Sequence, residues 1–336
     1  MELATTYMGL ALRNPLVASP SPLSHTLDGI RRLAEGGVGA IVLFSLFEEQ
    51  LREEAARNAE LVDGPGESFS EALDYVPAIM REDVGPLAYL SLLERAVAAV
   101  DVPVIASLNG VTPDGWTQYA RAMQDAGAAA IELNIYYVPG DPRITGRDVE
   151  QRHVDVLHRV KDAVTIPVAV KLSPYFSSMG EIALRLDEAG ADGLVLFNRF
   201  LTPAIDPEQL TVLPHVNLSS PADARLPRNW IALLRRSVRA SLAATTGVEV
   251  PADVAAYLLA GADVVMTTSA LLRHGPGYAT DLLNGLSTWM SRKRFHSVDE
   301  VRGLLSAPPA RDPEQHARSG YVAAMRAANA GAYAPW

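Results

Sequence analysis

The chain alternates short apolar runs with longer segments of helical periodicity. Segments such as TPDGWTQYARAMQDAG (112–127) and GEIALRLDEAG (180–190) have apolar residues at helical spacing. Strands that are apolar on both faces and alternate with such helices indicate a parallel sheet covered by helices. The runs of strand length are residues 15–21, 40–46, 102–109, 130–136, 166–173, 193–199, 240–247 and 263–270.

Glycine and proline mark the boundaries of these units. Gly37, Gly127, Gly190 and Gly261 each stand a few residues before an apolar run, where a helix ends in a left-handed conformation. Two further strands are entered through Pro103 and Pro167, and proline suits the first residue of a strand because no ladder donor is lost there. The positions of these glycines and prolines therefore support repeated helix-to-strand units.

Eight such units between residues 15 and 270 fit a (β/α)8 TIM barrel better than an open doubly wound sheet. Residues 1–14 predict a short hairpin that is placed to plug the bottom of the barrel. The segments 47–85 and 200–228 exceed normal loop length, so we predict insertions over the C-terminal face. We accordingly divide the chain into a barrel, residues 1–296, and a C-terminal helical extension, residues 297–336.

Composition removes several classes of function. The formal net charge of −10 argues against binding to nucleic acid or to an anionic membrane surface. The absence of cysteine excludes disulfides, thiolate nucleophiles and cysteine-ligated metal clusters, so redox chemistry needs an organic cofactor or a partner. With no secretory signal and no apolar run long enough to span a bilayer, we predict a cytoplasmic protein.

Polar residues at the strand ends are the candidates for function, because barrels of this class place their active sites there. Side-chain alternation points Glu132 and Asn134 into the barrel from one strand and Lys171 from the next, so Asn134 and Lys171 should converge. A buried inward carboxylate such as Glu132 requires a partner. Asn109 and Asn198 end two further strands.

Each candidate also has a structural explanation. A single asparagine at a strand end is often a turn former, and Lys171 fits a solvated rim as well as a buried site. The tyrosine pair after Asn134, Tyr136 and Tyr137, fits aromatic packing beneath a loop. The histidines show no metal-ligand spacing, so we predict no metal site.

The segments after the last two strands, AATTGVEVPADV and MTTSALLRHGPG, resemble the phosphate sites of such barrels. Gly247 permits a close backbone approach, and Thr268 or Ser269 can donate a hydroxyl. Threonine and glycine are also ordinary turn residues, so this pattern is weak by itself.

Together, several motifs resemble the dihydroorotate dehydrogenase family across roughly residues 1–295. These motifs are LRNPLVASPSPL, AIELNI, IPVAVKLSP, EAGADGLVLFN and LLAGADVVMTTSALL. The resemblance implies that FMN lies across the barrel mouth, with Lys171 near the N1 and O2 side of the flavin ring. It also implies that Asn109 and Asn134 bind the ring or the substrate and that Asn198 binds the substrate. The phosphate would meet Gly247, Thr268 and Ser269, and the flavin ring or its ribityl chain would meet Ala18, Ser19 and Ser45.

The sequence departs from the family on the substrate side. Tyr137 stands where the family usually has a cysteine or serine base, and Phe44 stands where a lysine usually contacts flavin and orotate. The loop that usually supplies further asparagines is replaced by GESFSEALDYVP, and the double glycine of the phosphate loop is reduced to Thr246-Gly247. The chain therefore resembles a dihydroorotate dehydrogenase-like branch that lacks the usual base.

Our leading hypothesis is an FMN-dependent oxidoreductase that acts on a CH–CH or activated C=C bond of a small molecule. Tyr137, or Tyr136, would donate the proton, because a phenol is a poor base without strong cationic help, for example from Lys171. We expect a homodimer, a separate electron-acceptor protein or soluble acceptor, and little or no orotate formation.

Two other functions remain open at this point. Lys171 suits a Schiff-base nucleophile in an aldolase-like barrel. The chain also suits a non-catalytic flavin-binding subunit of a larger oxidoreductase.

Overall fold

The computed structural model describes residues 1–50, 85–110, 116–199, 203–213, 217–307 and 313–327. The strands in this part of the chain are β1 (Thr5–Tyr7), β2 (Leu10–Leu12), β3 (Leu16–Ala18), β4 (Ala40–Phe47), β5 (Val104–Asn109), β6 (Ala130–Asn134), β7 (Val168–Leu172), β8 (Gly193–Leu196), β9 (Ala204–Asp206), β10 (Thr211–Leu213), β11 (Ser241–Ala244) and β12 (Val264–Thr267).

The α-helices in the same part of the chain surround these strands. They are α1 (Leu27–Glu35), α2 (Pro86–Ala99), α3 (Trp116–Asp125), α4 (Gly146–Ala163), α5 (Met179–Glu188), α6 (Arg225–Leu234), α7 (Pro251–Ala260), α8 (Ser269–His274), α9 (Tyr278–Lys293), α10 (Val298–Val301) and α11 (Pro313–Ala327). Short 3-10 helices precede α1 and α6, at Pro22–Ser24 and Pro221–Ala224.

Eight parallel strands close into a barrel in the order β11-β12-β3-β4-β5-β6-β7-β8. Every predicted strand is present and the predicted (β/α)8 architecture is confirmed. Several strands end earlier than the apolar runs that predicted them. The first ends at Ala18 rather than residue 21, because Pro20 has no backbone donor for the ladder.

Two apolar clusters separate the interior of the barrel from its helix layer. On β7, Val168, Val170 and Leu172 pack in the outer cluster, whereas Ala169 packs in the inner one. The same alternation holds on β6, where Ile131 belongs to the outer cluster. The predicted inward direction of Glu132 and Lys171 is confirmed by an ion pair between them.

The N-terminal hairpin closes the bottom of the barrel, as predicted. Strands β1 and β2 pair antiparallel, and the two-residue turn Met8-Gly9 has φ of 51° and 78°. Positive φ at both turn residues is the conformation that favours tight hairpins. Tyr7 and Met8 are buried in the inner cluster, and Met8 lies against Gly193 at the start of β8.

The first predicted insertion, 47–85, lies almost entirely outside the described residues. Within the second, 200–228, β9 and β10 form an antiparallel hairpin and the 3-10 helix leads into α6. Beyond residue 297, Gly303 and Leu305 donate backbone hydrogen bonds to Leu258 and Leu259 of α7. The division into a barrel and a C-terminal extension stays a prediction.

None of the described helices combines the length and the apolar character that a bilayer crossing requires.

Candidate active site

A cleft opens at the C-terminal ends of the barrel strands. Its walls come from the residues that follow β3, β8, β11 and β12, from Lys171 on β7, and from the segment Asn217–Ser219. This is the face on which barrels of this class carry their active sites. Predicted site residues that line the cleft are Ser19, Lys171, Asn198, Gly247, Thr268 and Ser269.

Lys171 lies at the floor of the cleft and is 7% exposed. Its ammonium is 3.3 Å from Oε1 of Glu132, which is 1% exposed. Glu132 precedes Asn134 by two residues, and Asn134 lies directly opposite Lys171 in the β6–β7 register. The predicted convergence of Asn134 and Lys171 and the expected partner of Glu132 are therefore both found.

Two of the three predicted asparagines are joined to each other. The amide nitrogen of Asn198 donates to Oδ1 of Asn134 over 2.8 Å. This bond crosses above Lys171, because β7 lies between β6 and β8 in the barrel. Asn109 pairs in register with Asn134 on the other side, so all three asparagines lie along one rim of the barrel.

Hydroxyl and backbone hydrogen-bond donors cluster around Gly247 at another part of the cleft. The hydroxyls of Ser219 and Ser269 are 2.9 Å apart, and the backbone N–H of Gly247 donates to the Ser219 hydroxyl over 3.2 Å. Gly247 has φ of 71°, and a Cβ there would lie 2.7 Å from the backbone N of Ala224. Only glycine fits this position without strain, so the close packing of the loop depends on it.

Arginine side chains hold the segment Asn217–Ser219 over this end of the cleft. Arg199 donates to the carbonyl of Asn217, and Arg273 donates to the carbonyl of Ser219 over 2.8 Å. Arg273 also pairs with Glu249. The segment is therefore tied to the loop after β8 and to α8.

Thr246, which stands where the family resemblance implies a glycine, adopts φ of 82°. A non-glycine residue in this region costs about 1–3 kcal/mol. The hydroxyl of Tyr257 offsets this strain, because it donates to the carbonyls of Thr245 and Thr246 at 3.1 and 2.7 Å. Burial is the main reason that the pKa of Tyr257 is raised, so the phenol stays a donor.

The tyrosine pair lies beside the cleft rather than in its described lining. Arg152 of α4 stacks over the ring of Tyr137, with 4.1 Å between the guanidinium carbon and the ring centroid. The cation at Tyr137 is therefore Arg152, whereas the sequence had suggested Lys171. The half-buried Tyr136 donates its backbone N–H to the carbonyl of Asn134.

Three other predicted positions lie under the rim. Ala18 is buried, and its side chain packs in the outer cluster. Ser45 hydrogen-bonds Ser107 over 2.9 Å. The ring of Phe44 packs against His25 and Tyr89, so this phenylalanine faces the helix layer and does not line the cleft.

Sequence reasoning missed Ser219, Arg199 and Arg273. Ser219 lies in a stretch taken for an insertion, and its contacts with Gly247 and Ser269 span 28 and 50 residues of chain. The run NLSSP that contains it precedes a helix, and this is the local signal that could have singled it out. The arginines carry no local signal, because their roles come from distant carbonyls.

Comparisons with known proteins identify the family of this chain. The family model described as dihydroorotate dehydrogenase matches residues 2–290. The chain is 30% identical over 311 residues to the catalytic subunit of dihydroorotate dehydrogenase B (NAD(+)) of Methanothermobacter thermautotrophicus, covering 90% of this chain and 98% of that one. It is 26% identical over 334 residues to the NAD-dependent dihydropyrimidine dehydrogenase subunit PreA of Escherichia coli, covering 91% and 77% of the two chains.

A third relative is a putative dihydroorotate dehydrogenase A (fumarate) of Solibacter usitatus, 26% identical over 319 residues, with 90% of this chain and 98% of that one covered. The predicted reaction class is confirmed by these matches. The chain belongs to the dihydroorotate dehydrogenase family, and it is a flavin-dependent oxidoreductase that acts on CH–CH bonds.

Proposed function

We propose that this protein binds FMN across the cleft and uses it to oxidise or reduce a CH–CH bond of a small cyclic substrate. One observation carries the proposal: a single cleft combines a buried lysine at its floor with hydroxyl and backbone donors at one end. A cation and a separate group of neutral donors suit the two ends of a flavin mononucleotide. Bound FMN would supply hydride transfer at its N5 atom.

The donors at one end fit a phosphate. Ser219 lies within hydrogen-bond distance of both Ser269 and the N–H of Gly247, so one anionic group can accept from this set of donors. Thr268 lines the same end, and its hydroxyl donates to the carbonyl of Ser19 over 3.1 Å. We assign the phosphate to this end and Lys171 to the flavin ring.

The opposite end of the cleft is assigned to the substrate. Asn198 lines the cleft and donates to Asn134, which lies beside the described lining, and Asn198 can turn its amide toward a bound ring. In the proposed mechanism Tyr137, or Tyr136, donates the proton that accompanies hydride transfer. The guanidinium of Arg152 over the Tyr137 ring would stabilise the phenolate that this step leaves behind.

The contact between Lys171 and Glu132 speaks against the aldolase hypothesis. A Schiff-base lysine must be a neutral amine to attack a carbonyl. The nitrogen of Lys171 is instead engaged by Oε1 of Glu132 at 3.3 Å, inside the barrel and beneath the cleft. This arrangement suits electrostatic stabilisation of a flavin better than nucleophilic attack.

The electron acceptor is proposed to be a separate protein. Relatives of this chain are named as a catalytic subunit and as subunit PreA. This chain has no cysteine with which to hold an iron–sulfur relay of its own. A homodimer and a cytoplasmic location stay predictions.

A spectrum of the purified protein tests the cofactor first. We expect the visible absorption bands of flavin and release of FMN, in a ratio near one per chain, on denaturation. Full-length protein that stays colourless after incubation with FMN would refute the proposal. Borohydride trapping of a carbonyl substrate on Lys171 would support the aldolase alternative instead.

Stopped-flow kinetics then tests the tyrosines. Flavin reduction by dihydroorotate and dihydrouracil should be compared for wild type, Tyr137→Phe and Tyr136→Phe. Reoxidation of the reduced protein by orotate and uracil, the direction in which the tyrosine donates a proton, should be compared for the same proteins. Loss of a general acid slows the chemical step about 10²–10⁴-fold. Full rates in both variants would rule out a tyrosine donor, and robust dihydroorotate oxidation would contradict the prediction of little orotate formation.

A further inference from the structure

A charged pair lies inside the barrel beneath the cleft. Glu132 and Lys171 project inward from adjacent strands, and their nearest atoms are 3.3 Å apart. Only Lys171 reaches the lining of the cleft. Glu132 is therefore one layer deeper, on the side of the ammonium that faces away from the cleft.

The surroundings of the pair are poor in compensating charge. Glu132 lies opposite Ala169 and Ser107 in the barrel register, and Lys171 lies opposite Val195. Among the described residues, Oε2 of Glu132 is buried and has no hydrogen-bond partner. Burying an incompletely bonded carboxylate costs several kcal/mol by order of magnitude, so the pair is weak as a device for stability.

Tyr7 of the hairpin plug is the third polar group in this region. Its hydroxyl is buried without a partner among the described residues. Burial, followed by the charges of Glu132 and Asp263, raises the pKa of Tyr7, which keeps the phenol neutral. Lys171 thus remains the counter-charge of Glu132.

We propose that Glu132 is a positioning residue that fixes the ammonium of Lys171 beneath the flavin and offsets part of its charge, thereby setting the flavin reduction potential. This inference rests on the proposed binding of FMN above Lys171. The net field at the floor of the cleft is the sum of a near positive charge and a more distant negative one. Coulomb energy falls with distance, so the positive charge dominates but is attenuated.

The central experiment is Glu132→Gln. Glutamine keeps the size of the side chain and an oxygen that accepts from Lys171, but it removes the negative charge. We expect bound FMN and a higher midpoint potential. A tenfold gain in the preference for reduced over oxidised FMN corresponds to about 30 mV for a two-electron couple. Lys171→Gln should shift the potential in the opposite direction.

The matched control is Glu150→Gln. Glu150 is a buried carboxylate too, paired with Arg185 on the outside of the barrel and absent from the cleft lining. Its neutralisation should leave the flavin potential unchanged. An equal rise in this variant would show that the effect of Glu132 is not local and would overturn the proposal.

The double variant Glu132→Gln/Lys171→Gln removes the same negative charge without leaving a lone buried ion. The midpoint potential of the double variant should be higher than that of Lys171→Gln alone. The direction of the change caused by neutralising Glu132 can therefore be measured even where Glu132→Gln does not fold. Its cofactor-free form should also melt at a higher temperature than cofactor-free Lys171→Gln, which retains an unpaired carboxylate.

The outcomes separate the two proposals. Wild-type protein without flavin defeats the proposed function, whatever the variants do. If all the proteins bind flavin, the effect of Glu132→Gln on the midpoint potential decides the second proposal. A potential that falls or stays constant, both in wild type and in Lys171→Gln, would refute the role of Glu132 and leave the proposed function standing.

Discussion

The two sides of the cleft are constructed in different ways. On the side of β8, β11 and β12, Ser219, Gly247 and Ser269 bond to one another, and the loop has a backbone conformation that only glycine adopts easily. On the β6 side, the chain leaves the barrel after Asn134, and the contact of Tyr137 runs outward to Arg152 of α4. The first side is specified by backbone geometry, and the second by side chains that can change without disturbing the barrel. With the proposed assignment of FMN to the first side and substrate to the second, this difference would let the cofactor site keep the family pattern while the substrate side departs from it.

Gly247→Ala should have the largest effect. The new Cβ would press on Ala224 and Ser220, and the residue would keep a left-handed φ. We expect the free energy of unfolding to fall by about 3 kcal/mol and FMN affinity to fall at least about a hundredfold. Thermal unfolding measures the loss of stability, and FMN fluorescence titration measures the loss of affinity.

Gly140→Ala on the β6 side is the control for this experiment. A Cβ at Gly140 meets nothing within 4 Å. The change in stability should stay within about 0.5 kcal/mol. An equal loss of stability in Gly247→Ala and Gly140→Ala would show that the two sides do not differ in their dependence on backbone geometry.

Ser219→Ala and Ser269→Ala come next in size. Each removes one hydroxyl from the proposed phosphate site, and a lost hydrogen bond to a charged group costs about 1.5–3 kcal/mol. FMN should therefore bind about ten- to a hundredfold more weakly, and the double variant should lose less than the sum because the two groups share a bond.

A matched serine outside the cleft serves for comparison. The Ser177 hydroxyl donates to Glu150 at 3.0 Å, and neither residue lines the cleft. Isothermal titration with FMN should give the wild-type affinity for Ser177→Ala. Unchanged affinity in Ser219→Ala would place the phosphate elsewhere.

Tyr257→Phe should weaken the scaffold of the same side. The ring stays buried, but the carbonyls of Thr245 and Thr246 lose their donor while Thr246 keeps its positive φ. We expect a loss of about 1–2 kcal/mol in urea unfolding. Tyr321, exposed on α11, provides the comparison, because Tyr321→Phe should change stability by less than about 0.5 kcal/mol.

The smallest effect concerns the pH dependence of the β6 side. His153 of α4 is 2% exposed, and burial lowers its pKa below the usual value. His153 therefore binds a proton more readily in the unfolded chain than in the folded protein. Its contribution to the free energy of unfolding is present above the pKa of the unfolded chain and is lost as the pH falls through the pKa of the folded protein. Urea unfolding at pH 7 and pH 5 should show a smaller difference for His153→Gln than for wild type. An identical difference would mean that His153 does not titrate on unfolding.

Sequence alone predicts the parts of this molecule that local chemistry determines. The eight strands follow from apolar runs, and the inward direction of Glu132 and Lys171 follows from strict alternation on β6 and β7. The hairpin plug follows from the pattern of residues 1–14, in which β1 and β2 pair on either side of a tight turn.

Other parts depend on contacts between distant residues. Ser219 meets Gly247 and Ser269 only after the loop before α6 folds back over the cleft. The partner of Tyr137 is 15 positions away on a helix, and nothing in the sequence selects Arg152 over Lys171. Phe44 was aligned with a cleft position, but β4 has an irregular register between Val42 and Ser45, and the ring faces the helices.

The floor of the barrel is assembled from both ends of the chain. Thr5 donates to the carbonyl of Asp263 and accepts from Arg302, and the backbone of Glu2 bonds to His296 and Val298. Strand β3 is also flanked by β12, the last strand of the barrel. During synthesis, the ribosome must therefore release the chain through Thr267 before the cylinder can close, and contacts of such high sequence separation form slowly. Until then the early strands expose an unpaired edge, which makes the nascent chain dependent on protection from aggregation.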